Sequence, residues 1–185
     1  MALTESTMLE IGTEAPDFSL LDVVSGKTIH RDDFRDRRAL LVMFICVHCP
    51  FVKHVESDLA KLGADYANEP LGIVAISAND VSYRPADGPD GMKAQATQQS
   101  FSFPYLYDAS QSVARAYKAA CTPDFFLFDS DLKLAYRGQY DLSRPGNGIP
   151  VTGQDLRGAI NAVLAGQPVV ADQRPSIGCN IKWKQ

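Results

Sequence analysis

The sequence predicts an α/β fold in which a mixed central sheet carries helices on both faces. Two continuous apolar runs rich in β-forming residues, at 40–45 and 71–77, are typical of strands buried on both faces. Between them, residues 50–67 repeat apolar side chains at helical spacing. Two further apolar runs separated by a short turn, at 124–129 and 132–138, indicate an antiparallel hairpin. Strands that alternate with helices in this way predict a mixed sheet covered on both sides.

The remaining predicted elements are an N-terminal strand or hairpin over about 17–30 and helices over 91–100 and 110–120. Between them, the segment 84–93 is rich in Pro, Gly and Asp, so we expect a loop at the sheet edge where α/β folds bind ligands. A last helix is predicted to begin with Thr152 as its N-cap, because T-x-x-D places an acidic residue at the third helical position. We expect this helix to end near Gly166.

The C-terminal segment has a pattern of its own. From Ile177 onward apolar and polar residues alternate, with Cys179 and Trp183 on the apolar side. A period of two with one apolar face is typical of an extended segment that packs on a surface. We therefore expect residues 1–185 to form a single domain, with 167–185 as an extended tail that docks back on it.

Composition excludes two classes of partner. A net charge of −4 and a pI near 5.3 provide no basic surface for nucleic acid. The longest apolar run, at 39–47, is far too short to cross a bilayer, so no membrane is expected. The N-terminal residues lack the basic and apolar regions of a secretory signal, and we therefore expect a cytoplasmic protein.

The motif with the clearest chemistry is C-V-H-C-P at residues 46–50. It falls in the turn between a buried strand and an amphipathic helix, with Cys49 close to the first helical turn. Helix-end amides and the imidazole of His48 favour a thiolate there. Cys46 and Cys49 therefore suit a redox pair, a peroxide-reducing thiol with its neighbour, a metal clip or a buried structural pair. A zinc set of Cys46, Cys49, His48 and His54 matches by count but is geometrically strained, so no metal is expected.

Several motifs together resemble a known family. They are GTEAPDFSLLDVVSGKTIHRDDF at 12–34, CVHCP at 46–50, CTPDFFLFD at 121–129 and YRGQYD at 136–141. In order and spacing they resemble the alkyl hydroperoxide reductase/thiol-specific antioxidant (redoxin) branch of the thioredoxin superfamily. The segments RPGNGIPVTGQDLR at 144–157 and PSIGCNIKWK at 175–184 resemble a narrower peroxiredoxin-like subgroup that carries C-x-x-C.

The resemblance implies a thioredoxin-like fold with an N-terminal β-hairpin extension. It also implies that Pro123 follows a cis peptide bond and that the backbone of Thr122 contacts an extended substrate; an ordinary trans proline opening a strand is the alternative. Cys46, expected nearer the surface, would attack a disulfide, and Cys49 would resolve the mixed disulfide. His48 or water would protonate the leaving thiol, because the strand before the pair is entirely apolar and contains no acid.

Three hypotheses of function follow. The first is a thiol–disulfide oxidoreductase with Cys46, Cys49 and His48 as catalytic residues and no bound cofactor. Its partners would be protein or small-molecule disulfides and a thiol reductant such as thioredoxin or glutathione. The second is a thiol peroxidase that reduces hydroperoxides, in which Cys49 becomes sulfenic acid and Cys46 resolves it. In it Cys46 occupies the place of the family's peroxide-binding Thr. The third is a non-catalytic or metal-binding module.

Four residues outside the pair receive two interpretations each. Cys121 and Cys179 are either auxiliary redox cysteines or buried thiols. In the redox interpretation, Cys179 would either form a disulfide with Cys121 or resolve the active pair. Arg137 and Arg144 would either hold a substrate carboxylate or form an ordinary surface pair.

Overall fold

The computed structural model describes residues 3–185. Its strands are β1 (Leu3–Glu5), β2 (Ser19–Asp22), β3 (Thr28–His30), β4 (Ala39–Phe44), β5 (Leu71–Ser77), β6 (Tyr105–Tyr107), β7 (Cys121–Thr122), β8 (Asp124–Asp129), β9 (Leu134–Gly138) and β10 (Ile177–Asn180). Its helices are α1 (Pro50–Asp65), α2 (Pro89–Gln99), α3 (Ser112–Ala116) and α4 (Gln154–Leu164). Short 3-10 turns are formed by Arg31–Phe34 and Pro85–Asp87. Among the helices described, none has both the length and the apolar character needed to cross a bilayer.

The main sheet has seven strands in the order β3-β2-β6-β5-β4-β8-β9. β4 runs parallel to β5, and β5 runs parallel to β6, whereas β8, β9 and the β2–β3 hairpin pair antiparallel to their neighbours. At the centre of this sheet Val42 lies between Val74 and Phe126. The sheet confirms the predicted mixed α/β class, the N-terminal hairpin and the hairpin of β8 with β9.

Both faces of β4 are buried, which explains its continuous apolar sequence. Leu41 and Met43 face the core layer that α1, α2 and α4 cover. Leu40 and Val42 face the opposite layer, which α3 helps to cover. Each such side chain contributes about 1.5–3 kcal/mol when it leaves water. Because β4 is anchored on both faces, the position at which it ends is fixed. The cysteine motif begins two residues after that end.

A second, smaller sheet has the strand order β1-β10-β7. β10 comes from the C-terminal tail and lies between the N-terminal β1 and the short β7, antiparallel to both. In the register with β7, Cys179 is opposite Thr122 and Asn180 is opposite Cys121. The tail therefore reaches the neighbourhood of the cysteine motif.

The N-terminus of α4 differs from the prediction. Its N-cap is Gly153, with a φ of 63°, and not Thr152. The prediction was wrong because a distant carboxylate replaces the local cap: Asp141 Oδ2 accepts the N–H groups of Thr152 at 2.7 Å and Gly153 at 2.6 Å. This turn requires a residue with a left-handed backbone conformation, and glycine adopts that conformation without steric cost.

The third helix is also shorter than the predicted 110–120. It ends at Ala116, and Lys118 adopts a φ of 52°, which no helix continues through. The short strands β1, β6 and β7 had no separate prediction, since two or three residues are too few to show a period. β10 falls in the segment that was predicted to be extended from Ile177 onward.

Candidate active site

The two cysteines of the motif lie between β4 and α1. Cys49 is the N-cap of α1, with Pro50 as the first helical residue, and Cys46 lies in the connecting loop. Only 1% of Cys46 and 0% of Cys49 is exposed. The expectation that Cys46 lies nearer the surface was therefore wrong, because both cysteines are buried in the core and neither is exposed at the end of the sheet.

Thr122 and Cys179 surround the sulfurs of the pair. Cys49 Sγ lies 3.2 Å from the carbonyl oxygen of Thr122, and Cys46 Sγ lies 3.3 Å from Thr122 Oγ1. The Thr122–Pro123 peptide bond is cis, as the resemblance implies. Cys49 Sγ also lies 2.7 Å from Cys179 Sγ. Three sulfurs and one threonine therefore form a buried cluster.

The negative charge of the reduced pair belongs to Cys49. The pKa of Cys49 is lowered to about 5, first because the Cys46 thiol donates a hydrogen bond to its sulfur, with Cys179 as a further donor. The pKa of Cys46 is raised well above its ordinary value by that same hydrogen bond, by burial and by the carboxylate of Asp87. The N-cap position of Cys49 favours the same distribution. This distribution differs from the one expected from the sequence, in which Cys46 carries the thiolate.

A buried carboxylate lies beside the motif. Asp87, in the 3-10 turn Pro85–Asp87, is fully buried. Its Oδ1 accepts the N–H groups of Val47 at 2.9 Å and His48 at 3.1 Å. Its Oδ2 accepts from Asn79 Nδ2 at 2.8 Å and forms a short hydrogen bond with His48 Nδ1. Asp87 therefore fixes both the backbone of the motif and the orientation of its imidazole.

Sequence reasoning missed Asp87. An acid was sought in the strand before the cysteines, whereas Asp87 follows them by about forty residues in the loop 84–93. The signal that pointed toward it was the placement of this loop at the ligand-binding edge of the sheet. A nearby clue was Asn79, whose amide binds the same carboxylate.

The same neighbourhood offers metal-binding atoms. Cys46, His48 and Asp87 each present one ligand atom within 4.8 Å of the others. This cluster replaces the four-residue set weighed from the sequence, since neither Cys49 nor His54 belongs to it. Both oxygens of Asp87 already accept two hydrogen bonds each, so the geometry favours a positioned imidazole over a metal ligand.

The two remaining cysteines differ in their contacts. Cys121 is fully buried, and its thiol points to the carbonyl oxygen of Pro123 at 3.6 Å. Burial raises the pKa of the Cys121 thiol strongly. Burial and the contact with Cys49 raise the pKa of Cys179 to about 12. Cys179 contacts the sulfur of Cys49 directly. Cys121 and Cys179 are both protonated at neutral pH.

Arg137 is held by internal partners, among them Asp124, the residue after the cis-proline. It is fully buried, and its Nη2 binds Asp124 Oδ2 at 3.1 Å. The guanidinium also stacks on the ring of Phe126 at 3.9 Å from its centroid. Arg144 instead donates to the backbone of Asp141 and to Gln139. Arg137 therefore fits neither the surface pair nor the substrate carboxylate considered from the sequence. Arg144 is half-buried, and its role in holding a substrate carboxylate stays a prediction.

Comparisons with known proteins agree with this architecture. Residues 11–137 match the profile of the AhpC/TSA family. The crystal structure of an uncharacterized conserved protein from Geobacillus kaustophilus is 52% identical, with a TM-score of 0.97, and covers 100% of this chain and 97% of its own. Thiol-disulfide oxidoreductase ResA of Bacillus thuringiensis subsp. konkukian is 26% identical over 131 residues, 71% of this chain and 70% of that protein.

A third comparison concerns the fold alone. The thioredoxin domain of a thiol-disulfide oxidoreductase from Bacteroides vulgatus superposes with a TM-score of 0.59 at 20% identity, covering 70% of this chain and 89% of its own. This likeness confirms the thioredoxin-like fold that the sequence motifs implied.

Proposed function

The chain belongs to the AhpC/TSA family, and from that premise we propose that it is a thiol–disulfide oxidoreductase working through Cys46 and Cys49. The observation that carries the proposal is the placement of the pair: Cys46 Sγ lies 3.3 Å from Thr122 Oγ1 and Cys49 Sγ lies 3.2 Å from the Thr122 carbonyl oxygen, beside the cis-proline. A relative named for thiol–disulfide oxidoreduction supports the reaction class. The AhpC/TSA family match is in keeping with an oxidoreductase role of this general kind.

The proposed reaction has two exchange steps. The Cys49 thiolate attacks one sulfur of a disulfide, forms a mixed disulfide and releases the other sulfur as a thiolate. Cys46 then loses its proton and attacks Cys49, which forms the Cys46–Cys49 disulfide and releases the second thiolate. Two electrons pass from the pair to the substrate, and a thiol reductant such as thioredoxin or glutathione restores the dithiol. The order reverses the roles first expected for the two cysteines.

Asp87 and His48 have a defined part in the second step. Cys46 holds its proton tightly, so its attack needs a base. With Nδ1 bonded to Asp87, the imidazole has Nε2 left to accept a proton, and within residues 3–185 that buried nitrogen has no hydrogen-bond partner. Cys46 Sγ and a ring nitrogen lie within 4.8 Å. We assign His48 as the base and Asp87 as its positioning residue.

Replacing Asp87 by asparagine will slow closure of the Cys46–Cys49 disulfide by about 10²-fold, the lower end of general-base effects. The asparagine side chain keeps an oxygen for the two backbone N–H groups but loses the charge that orients the imidazole. Rapid quenching with an alkylating agent, followed by mass spectrometry, measures the closure rate. The pH dependence of that rate will shift in D87N. An unchanged rate and profile, equal to those of the exposed control D90N, would refute the role.

The function is tested by turnover. With dithiothreitol as reductant and insulin or glutathione disulfide as substrate, the wild-type protein will accelerate disulfide reduction. C46S and C49S will fall to the uncatalysed rate, because each lacks one of the two sulfurs that the cycle requires. C121S is the matched control and will keep its activity, since its thiol contacts a backbone carbonyl and not the pair. Wild-type protein without turnover would favour the non-catalytic module, and stoichiometric zinc in it would favour the metal-binding version.

One observation favours a thiol peroxidase as the second candidate. Cys49, the thiol expected to be peroxidatic, carries the lowered pKa, and both sulfurs are closed to solvent. A hydroperoxide is small enough for such a site, and Thr122 Oγ1 provides a hydroxyl beside the pair in place of the missing family threonine. One equivalent of hydrogen peroxide decides between the oxidoreductase and the peroxidase: Cys46–Cys49 disulfide formation far faster than oxidation of a free-thiol control identifies a peroxidase.

Cytoplasmic placement of the protein stays a prediction from the sequence.

A further inference from the structure

We propose that Cys179 is a third redox residue, which exchanges with the Cys46–Cys49 disulfide to form a Cys49–Cys179 disulfide. This inference rests on the proposed function, because that function supplies the first disulfide. Its basis is the placement of the C-terminal strand, which brings the Cys179 sulfur to 2.7 Å from that of Cys49.

β10 occupies the place that the fold would offer to an extended substrate. Thr122, whose backbone was expected to contact a substrate, is opposite Cys179 in the antiparallel pairing of β7 with β10. The chain thus presents one of its own cysteines to the pair in the way that a bound peptide would present a cysteine. Cys179 is 4% exposed, so it shares the enclosed cluster.

Gly178 makes this close approach possible. A Cβ atom at this position would lie 2.0 Å from the carbonyl oxygen of Thr122 and 2.7 Å from its carbonyl carbon. Both are backbone atoms, which cannot rotate away as a side chain would. Any larger residue at position 178 therefore pushes β10 away from Thr122 and moves Cys179 with it.

The register also determines which cysteine takes part. Residues directly opposite in an antiparallel pair share a face, and successive residues alternate between faces. Cys179 therefore shares the face of Thr122, whereas Cys121 lies on the other face with Asn180. This arrangement argues against the Cys121–Cys179 disulfide considered from the sequence and leaves Cys49 as the partner of Cys179.

The exchange step balances without an added oxidant. Cys179, as a thiolate, attacks Cys49 Sγ in the Cys46–Cys49 disulfide. The Cys49–Cys179 bond forms, the Cys46–Cys49 bond breaks, and Cys46 leaves as a thiolate that takes up the proton lost by Cys179. One disulfide and one thiol are present before and after, so no electrons leave the protein. The ammonium of Lys182 favours the Cys179 thiolate that the step needs.

The C46S variant isolates this chemistry from turnover. Treated with glutathione disulfide, Cys49 forms a mixed disulfide with glutathione, and Cys179 then displaces glutathione. Intact mass and peptide mapping will show a Cys49–Cys179 disulfide without a glutathione adduct. In C46S/C179S the adduct will persist, and in C46S/C121S the internal disulfide will form as before. A persistent adduct on Cys49 in C46S, or no reaction of Cys49 while Cys179 stays open to alkylation, would overturn the proposal.

A second variant tests the placement without removing a sulfur. C46S/G178A will form the internal disulfide several-fold more slowly than C46S, because the added Cβ meets the backbone of Thr122. C46S/G158A is the matched control, since a Cβ at Gly158 meets nothing within 4 Å. Equal rates in the two would overturn the role of β10. Insulin reduction by wild-type protein is scored separately, so an inactive enzyme that still forms Cys49–Cys179 counts only against the proposed function.

Discussion

The Cys49 thiol of the reduced protein will titrate with a pKa of about 5, whereas an ordinary cysteine thiol has a pKa of about 8.5. The hydrogen bond from Cys46 is the largest cause, and Cys179 adds a second donor. Ultraviolet absorbance of the thiolate, followed against pH, measures the transition directly. C46A will move the midpoint upward because the main donor is gone, and C121S will leave it unchanged. A wild-type midpoint near that of free cysteine would contradict the assignment of the charge.

The same ionisation links the stability of the reduced protein to pH. Because the folded-state pKa of Cys49 lies below the unfolded value, its contribution is fully present above pH ~8.5 and is lost as pH falls through about 5. The free energy of unfolding of wild type relative to C49S will therefore shrink between these two pH values. Urea titrations of both proteins measure the difference, in which contributions from groups that do not contact Cys49 cancel. A constant difference would argue against a native thiolate.

Arg137→Met will lower the free energy of unfolding by about 3–5 kcal/mol at pH 7, since it leaves the carboxylate of Asp124 buried without its cation. Both side chains of this pair are fully buried, and the guanidinium also loses its contacts with the backbone carbonyls of Tyr117 and Lys118. Urea unfolding midpoints give the change. Lys133→Met is the matched control: its 3.2 Å pair with Glu14 is exposed, so it will cost less than about 1 kcal/mol.

The pH dependence of this variant gives a second readout. Burial already raises the pKa of Asp124 to about 6 despite the cation beside it, so removing Arg137 will raise that pKa further. A carboxyl whose folded-state pKa is raised stabilises the fold below its unfolded pKa and loses that contribution as pH rises. The cost of Arg137→Met will therefore be smaller at pH 5 than at pH 8. A cost that is independent of pH would indicate lost packing alone.

The main sheet could be predicted from sequence because its central strands are buried on both faces. The continuous runs in β4 and β5 and the helical period of α1 are local signals, and they locate Cys46 and Cys49 without further information. The cap of α4 could not be predicted, because the carboxylate of Asp141 that replaces it comes from outside the local motif.

The chemistry of the site depends on contacts between distant segments. Asp87 reaches His48 across thirty-nine positions, and Cys179 reaches Cys49 across one hundred and thirty. No period or motif in the sequence encodes these distances. The burial of the pair and the lowered pKa of Cys49 follow from those contacts, so sequence reasoning located the two cysteines but could not assign the thiolate to one of them.

The three-stranded sheet makes access to the sulfurs a matter of local unfolding. β10 is hydrogen-bonded to β7 on one edge and to β1 on the other. To move away from Thr122, it must break its hydrogen bonds with β7, and it must then either also break those with β1 or carry β1 along. A bulky protein disulfide that needs this edge must wait for an opening whose free energy is set by both ladders. Substitutions within residues 3–5, far along the chain from every cysteine, would then change how fast large substrates react while leaving the rate with small ones nearly unchanged.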